Sequence, residues 1–153
     1  MQMMLPKPWG TMKYIESGFV LACALFYLCS NNFALAKESE DQQAVLAAEV
    51  WLALVDCGKY ELSWDASADY FKTAVDKAQW VKSLKAFRKP LGSVVSRKIK
   101  SSQHATNLPG APDGEYLVIQ YDTSFEHKKS TVETVTPMRD KGGQWRVSGY
   151  YIK

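Results

Sequence analysis

Cysteine is scarce in this 153-residue chain, and two of its three copies, Cys23 and Cys29, lie in one apolar run near the start. If that run is removed, Cys57 stands alone, no internal disulfide can form, and the fold must be held by packing. A small buried hydrophobe is the plain reading of Cys57, with an intermolecular disulfide as its alternative. Histidine is scarcer still. His104 stands where a polar strand enters a loop, and His127 falls in a hairpin tip, EHKK (126–129). Neither has a second histidine or a carboxylate at ligand spacing, so no metal site is expected. Signatures of catalysis and nucleotide binding are missing too: there is no G-x-S-x-G, Walker loop or Rossmann glycine pattern. LPGAPDG (108–114) is glycine-rich but joins two strands and opens no helix, so it is a turn and not a phosphate cradle. Net charge is only +3, no Lys/Arg run exceeds two residues, and no basic stripe alternates with aromatics. Nucleic acid is therefore not an expected partner. No repeat or low-complexity tract occurs, and the length suits about one domain.

What is present begins with a targeting pattern. Lys13 precedes GFVLACALFYLC (18–29), an uncharged apolar run, followed by Ser30-Asn31-Asn32 and then Ala34-Leu35-Ala36. A basic start, a short apolar stretch and an A-x-A site predict a secretory signal peptide over 1–36, cleaved after Ala36. The run is too short to cross about 30 Å of hydrocarbon comfortably. Glu16, just before it, departs from the usual pattern. Val20-Leu21-Ala22-Cys23 resembles a lipoprotein box but comes too early, with apolar sequence continuing past the cysteine. Met12-Lys13 is a more typical signal start than Met1, which points to translation from Met12. The remainder, 37–153, loses Lys7, Lys13 and Glu16 and keeps a net charge of +2. It is read as a single domain located in the periplasm or secreted, large enough for one hydrophobic core.

QQAVLAAEVWLALVDCG (42–58) has helical propensity with Gly58 as its stop. Its apolar face is wide, which predicts burial on several sides. KYELSWDASADYFKTAV (59–75) reads as one or two short helices. Asp76 with Gln79 three positions on is a capping-box pattern. The helix it opens carries Trp80, Val81, Leu84 and Phe87 on one face, and Pro90 and Gly92 end it. From Ser93 the period changes to two. Strands are expected over 93–106, 115–125, 130–139 and 144–152, with Asp140-Lys141-Gly142-Gly143 as a hairpin turn. Helices first and strands after mean α+β, with N-terminal helices packed on a four-stranded antiparallel sheet. In the last strand, alternation groups Trp145, Val147, Gly149 and Tyr151 against Arg146, Ser148, Tyr150 and Ile152. Alternation alone does not settle which tyrosine faces inward.

AAEVWLALVDCGKYELSWD, PLGSVVSRK, LPGAPDGEYLVIQYDTSF, ETVTPM and GGQWRVSGYYI resemble the bacterial family known as domain of unknown function 4019, over nearly all of 47–153. That resemblance implies a cystatin-like, nuclear-transport-factor-2-like shape, in which a curved antiparallel sheet wraps a long helix to form a cone whose mouth can hold a ligand. It implies no activity, no cofactor and no catalytic residues. The wider fold group includes isomerases, dehydratases, binding modules and dimerisation domains, so function must be argued from side chains.

Three polar residues occupy strand positions whose neighbours are apolar. Arg97 lies with Val95 and Ile99, Tyr121 with Leu117 and Ile119, and Glu133 with Val135. A charge on such a face is costly unless paired, which predicts an Arg97–Glu133 contact. Its plain reading is a pair that fixes strand register; ligand binding and catalysis are the other two. Trp51, Trp64 and Trp80 fall at helical positions as core residues, and Trp64 is a candidate for the mouth of a pocket beside Arg97, Tyr121 and Glu133. The expected function is a non-catalytic module that binds a small ligand or a protein partner, a second copy of the chain included. The alternative is a small isomerase- or dehydratase-like enzyme using a pocket carboxylate.

Overall fold

The structure is a computed structural model, and it describes residues 40–153. The expected signal segment, with its Ala36 cleavage point and the Met12 start, lies outside the described residues.

The first helix, α1, occupies 40–56. Its buried residues are Ala44, Ala48, Trp51, Leu52 and Val55. At 100° per residue these fall in a sector about 100° wide, a single stripe turned toward the sheet. Leu46 and Val50 point the opposite way and are each 60% exposed, which corrects the expectation of burial on several sides. The two alanines let the helix approach the strands closely, while Trp51, Leu52 and Val55 supply about 1.5–3 kcal/mol each on burial. Gly58 adopts φ 71°, a left-handed conformation that ends the helix without the penalty a Cβ would bring. Cys57, expected in the core, is exposed because it lies in the turn beyond the last helical residue.

Three shorter helices follow: α2 (Tyr60–Ala66), α3 (Asp69–Ala74) and α4 (Lys77–Phe87). The carboxylate of Asp76 accepts from the Gln79 amide at 2.8 Å, the cap expected from the sequence. Trp51 Nε1 donates to the Ser63 carbonyl at 2.8 Å and Trp80 Nε1 to Ser63 Oγ at 2.9 Å, so one serine anchors both indoles. Of the apolar face read for α4, Trp80 and Leu84 are buried, but Phe87 is 77% exposed at the helix end. A 3-10 turn, Lys89–Leu91, leads to Gly92.

The sheet has strands β1 (Val94–Ala105), β2 (Tyr116–Phe125), β3 (Thr131–Arg139) and β4 (Trp145–Ile152), all antiparallel and in sequential order. The protein is therefore α+β, helices before a four-stranded meander. Asp41 of α1 contacts His104 near the end of β1, and Asp56 contacts Arg97 near its start. Fifteen helical residues span about 22 Å, and seven strand residues about 23 Å. The helix therefore runs the length of the strands, in the opposite direction to β1.

On β2 and β3 the odd-numbered residues from Leu117 to Phe125 and from Thr131 to Val135 are buried against the helices. On the outer strands, bulges break the alternation. An irregularity between Val94 and Ser96 takes Val95 out of the inward set, and Val95 is 69% exposed. Another between Thr136 and Pro137 sets Val147 opposite Pro137 but Tyr150 opposite Val135. Each bulge inserts one residue, and one residue exchanges faces. Trp145, Val147 and Tyr150 consequently face the helices while Tyr151 is 63% exposed, so the simple grouping of the last strand fails after Ser148. Proline in an interior strand is tolerated at this break because the ladder is already interrupted there.

Candidate functional site

The inner face of the sheet carries a closed set of charges. Glu133, at the centre of β3, is fully buried. Its Oε2 accepts from Arg97 Nε at 2.7 Å and Thr123 Oγ1 at 2.6 Å; its Oε1 accepts from the Tyr150 hydroxyl at 2.6 Å and Arg97 Nη2 at 3.2 Å. Arg97 reaches across from β1 and is also held by Asp56 at the end of α1, with Nη1 donating to Oδ2 at 2.7 Å and Nη2 to Oδ1 at 3.1 Å. Asp56 Oδ1 accepts again from Arg88 Nη2 at 2.9 Å. Arg88 Nη1 donates to the Gly92 carbonyl at 2.8 Å, and its guanidinium lies 4.3 Å from the centre of the Phe125 ring. Two guanidinium groups and two carboxylates thus balance. One residue comes from each of the four strands, one from α1 and one from the end of α4.

Local structure explains how each side chain arrives. Register sets Arg97 opposite Thr123, Thr123 opposite Thr131, and Tyr121 opposite Glu133, so three neighbouring strands bring their polar inward residues together. The bulge before Ser148 gives Tyr150 its inward direction. Arg88 is fixed by the turn that follows α4: Gly92 has φ 77°, and a Cβ there would lie 2.8 Å from Glu126 Oε2 and 2.9 Å from Glu126 Cβ.

The environment acts on the ionisable groups in three ways. Burial by itself lowers the pKa of Arg97, but its hydrogen bonds to the Asp56 and Glu133 carboxylates, with their negative charges, outweigh it and hold the guanidinium above its ordinary value. Desolvation, helped by the neighbouring Glu133 charge, drives the Tyr150 phenol well above its usual range. Tyr121 is pushed up to about 12, chiefly by desolvation, and its buried hydroxyl has no hydrogen-bond partner among the described residues. A deprotonated phenol beside these carboxylates would add a third negative charge, so both tyrosines stay neutral across ordinary pH, and Tyr150 remains a donor to Glu133.

Of the residues singled out from sequence, Arg97 and Glu133 are brought into direct contact, and Tyr121 stands beside Glu133 without bonding to it. Trp64 is not part of this group. It lies at the corner of α2, α3 and α4, its Nε1 donating to the Val75 carbonyl at 2.8 Å and Lys77 Nζ 5.0 Å from its ring. Sequence reasoning missed Asp56, Arg88, Thr123 and Tyr150. Asp56 was legible as a carboxylate interrupting an apolar helix near its end. Arg88 carries no comparable signal, since it stands in a polar helix terminus. His104, which has no carboxylate at ligand spacing along the sequence, contacts Asp41, a residue 63 positions away that α1 packing brings near.

Next to the charge network lies an open groove of about 430 Å³ between α4 and the end of β4. Trp80, Leu84, Phe87 and Leu91 form one wall; Tyr150 and Ile152 form the other, with Arg88 and Lys128 as its charged members. Tyr150 belongs to both features: its hydroxyl serves Glu133, and its ring meets Trp51 and Trp80 at 5.3 and 6.3 Å between centroids. Among the described residues, no group of three or more His, Cys, Asp or Glu is placed to hold a metal ion, and no helix is long and apolar enough to cross a membrane.

Fold and site together define a small α+β protein with a self-neutralised polar centre beneath an apolar groove. The family model described as "Protein of unknown function (DUF4019)" matches residues 47–150, and the chain belongs to that family. Comparison with curated proteins and with solved structures found no match.

Proposed function

We propose that this protein is an exported, non-catalytic binding module whose small ligand occupies the groove between α4 and β4. In this reading the sheet and α1 form the cone of the cystatin-like, nuclear-transport-factor-2-like arrangement, and the groove is its mouth. One observation carries the choice between binder and enzyme. Every carboxylate oxygen of Glu133 and Asp56 already accepts from at least one donor, and no unpaired acid lines the groove. A proton-abstracting isomerase or dehydratase needs a carboxylate that is free to receive the substrate proton. The groove, by contrast, has the size and apolar lining of a small-molecule cleft. Export is supported by the basic, apolar and A-x-A order of residues 13–36.

Native mass spectrometry of the protein purified from the cells that make it tests both parts. The expected result is a chain beginning at Lys37, recovered outside the cytoplasm, that carries a small-molecule adduct lost on activation. A chain that retains residues 1–36 and stays in the cytoplasm would overturn export. A bare chain with no adduct, which also fails to bind any apolar probe, would overturn the binding module.

A further inference from the structure

We propose that the ligand of this groove is an amphipathic anion: an aliphatic chain lying between α4 and β4, with a single carboxylate at Lys128. The proposal rests on the groove being the binding site. Three features select the class. The first is the lining, in which Trp80, Leu84, Phe87 and Leu91 face Ile152 across the cleft and no acidic side chain takes part.

The second is the sign and availability of charge. Both charged lining residues are cations. Arg88 gives its Nη donors to Asp56 and the Gly92 carbonyl and its charge is matched by Asp56, which leaves only a buried Nε without a partner among the described residues, whereas Lys128 has no ion-pair partner among them at all. Glu126, the nearest carboxylate along the chain, turns back toward the Ser93 amide at 3.4 Å. A cationic residue without an ion-pair partner in the lining of an apolar cleft suits one anionic head, and it disfavours a cationic or polyanionic ligand.

The third is exposure. Phe87 is 77% exposed, and Trp80 behind it is buried, so apolar surface grades continuously from solvent into the protein. Such a ramp is laid open where an apolar body is to cover it. The polar network beneath needs no counter-ion, so the head group has no reason to travel inward and remains at the Lys128 end.

The test is a titration of protein purified from its native compartment, followed by intrinsic tryptophan fluorescence, to which Trp80 in the groove wall contributes. Decanoate, decan-1-ol and decyltrimethylammonium are compared below their aggregation concentrations. Decanoate is expected to bind about fivefold more tightly than decanol, a margin that shrinks with added salt. The cation is expected to bind most weakly. Affinity across the C8, C10 and C12 carboxylates should tighten about threefold to fourfold per methylene. Lys128→Gln should bring decanoate to the level of decanol and leave decanol unchanged. Phe87→Asp, at an exposed position that does not support the core, should weaken both. Equal binding of decanoate and decanol by the unaltered protein would overturn the anion while leaving the groove as a binding site. Binding that ignores Phe87→Asp would place the ligand elsewhere and overturn the proposal. Binding of no probe would remove the site and the binding-module reading together.

Discussion

Replacing Arg97 by methionine isolates the dependence of Glu133 on its guanidinium partner. Glu133 is fully buried and accepts four hydrogen bonds, two of them from Arg97. After Arg97→Met the carboxylate keeps only the neutral hydroxyls of Thr123 and Tyr150. Breaking a buried ion pair from one side costs about 3–5 kcal/mol, a large part of the roughly 5–15 kcal/mol that holds a domain folded. Glu133→Leu costs less, about 2 kcal/mol, because Arg97 retains Asp56, which is itself in contact with water. The double variant Arg97→Met, Glu133→Leu removes both buried charges and replaces them with apolar volume. It should recover to within about 1 kcal/mol of the unaltered protein or exceed it. Urea unfolding followed by the fluorescence of Trp51 and Trp80 reads all three. The single arginine variant should unfold roughly 2 M earlier, given a slope of about 1–3 kcal/mol per molar urea. If Arg97→Met lay within 1 kcal/mol of the unaltered protein, or if the two single effects simply added, the central pair would not hold the sheet in the way its geometry indicates.

Four further predictions concern individual residues. The hydroxyl of Tyr121 is buried without a partner among the described residues, so Tyr121→Phe should be neutral or stabilising by about 1 kcal/mol in the same urea assay; a loss above 1 kcal/mol would mean that the hydroxyl is bonded in solution. The same phenol makes stability fall at alkaline pH. Between the unfolded value near 10 and the folded value of about 12 the unfolded chain releases a proton that the folded protein keeps. Stability contributed below pH 10 is then lost at about 1.4 kcal/mol per pH unit. Tyr150 acts in the same direction, and urea melts from pH 9 to 11 should show a shallower slope in Tyr121→Phe, with an unchanged slope as the contrary result. Gly92→Ala should cost at least about 2 kcal/mol, from the left-handed φ of 77° and the contact at 2.9 Å with Glu126 Cβ, which cannot swing away as the carboxylate can; a melting temperature within a degree of the unaltered protein would refute it. Ser130 has φ 64° without being glycine, so Ser130→Gly should gain about 0.5–1 kcal/mol, and any loss by calorimetry would show that its side chain compensates.

The amino-acid sequence by itself determined the element order, the α+β class and the Asp76 cap, because helical and strand periods and end signals are local properties of the chain. It also placed Glu133 on an inward-facing position, since on an uninterrupted stretch a two-residue period maps directly to one face of a sheet; Arg97 turns inward although Val95 and Ile99, with which alternation groups it, are both exposed. Tertiary structure decided what alternation could not express. A bulge shifts register by one residue, and so Tyr150 turns inward, Tyr151 outward and Val95 away from Arg97. Pro137 and Gly149 stand at the β3–β4 break and are residue types that tolerate one, but they do not give its direction, which arises from fitting a twisted sheet around a helix. The meeting of Asp56 and Arg88 with Arg97 likewise depends on where α1 and α4 end over the sheet, a distance of 32 or 41 residues along the chain. One strand face and one helix face could be read separately from the sequence. Their convergence on Glu133, with the groove that opens above it, exists only once the layers are packed.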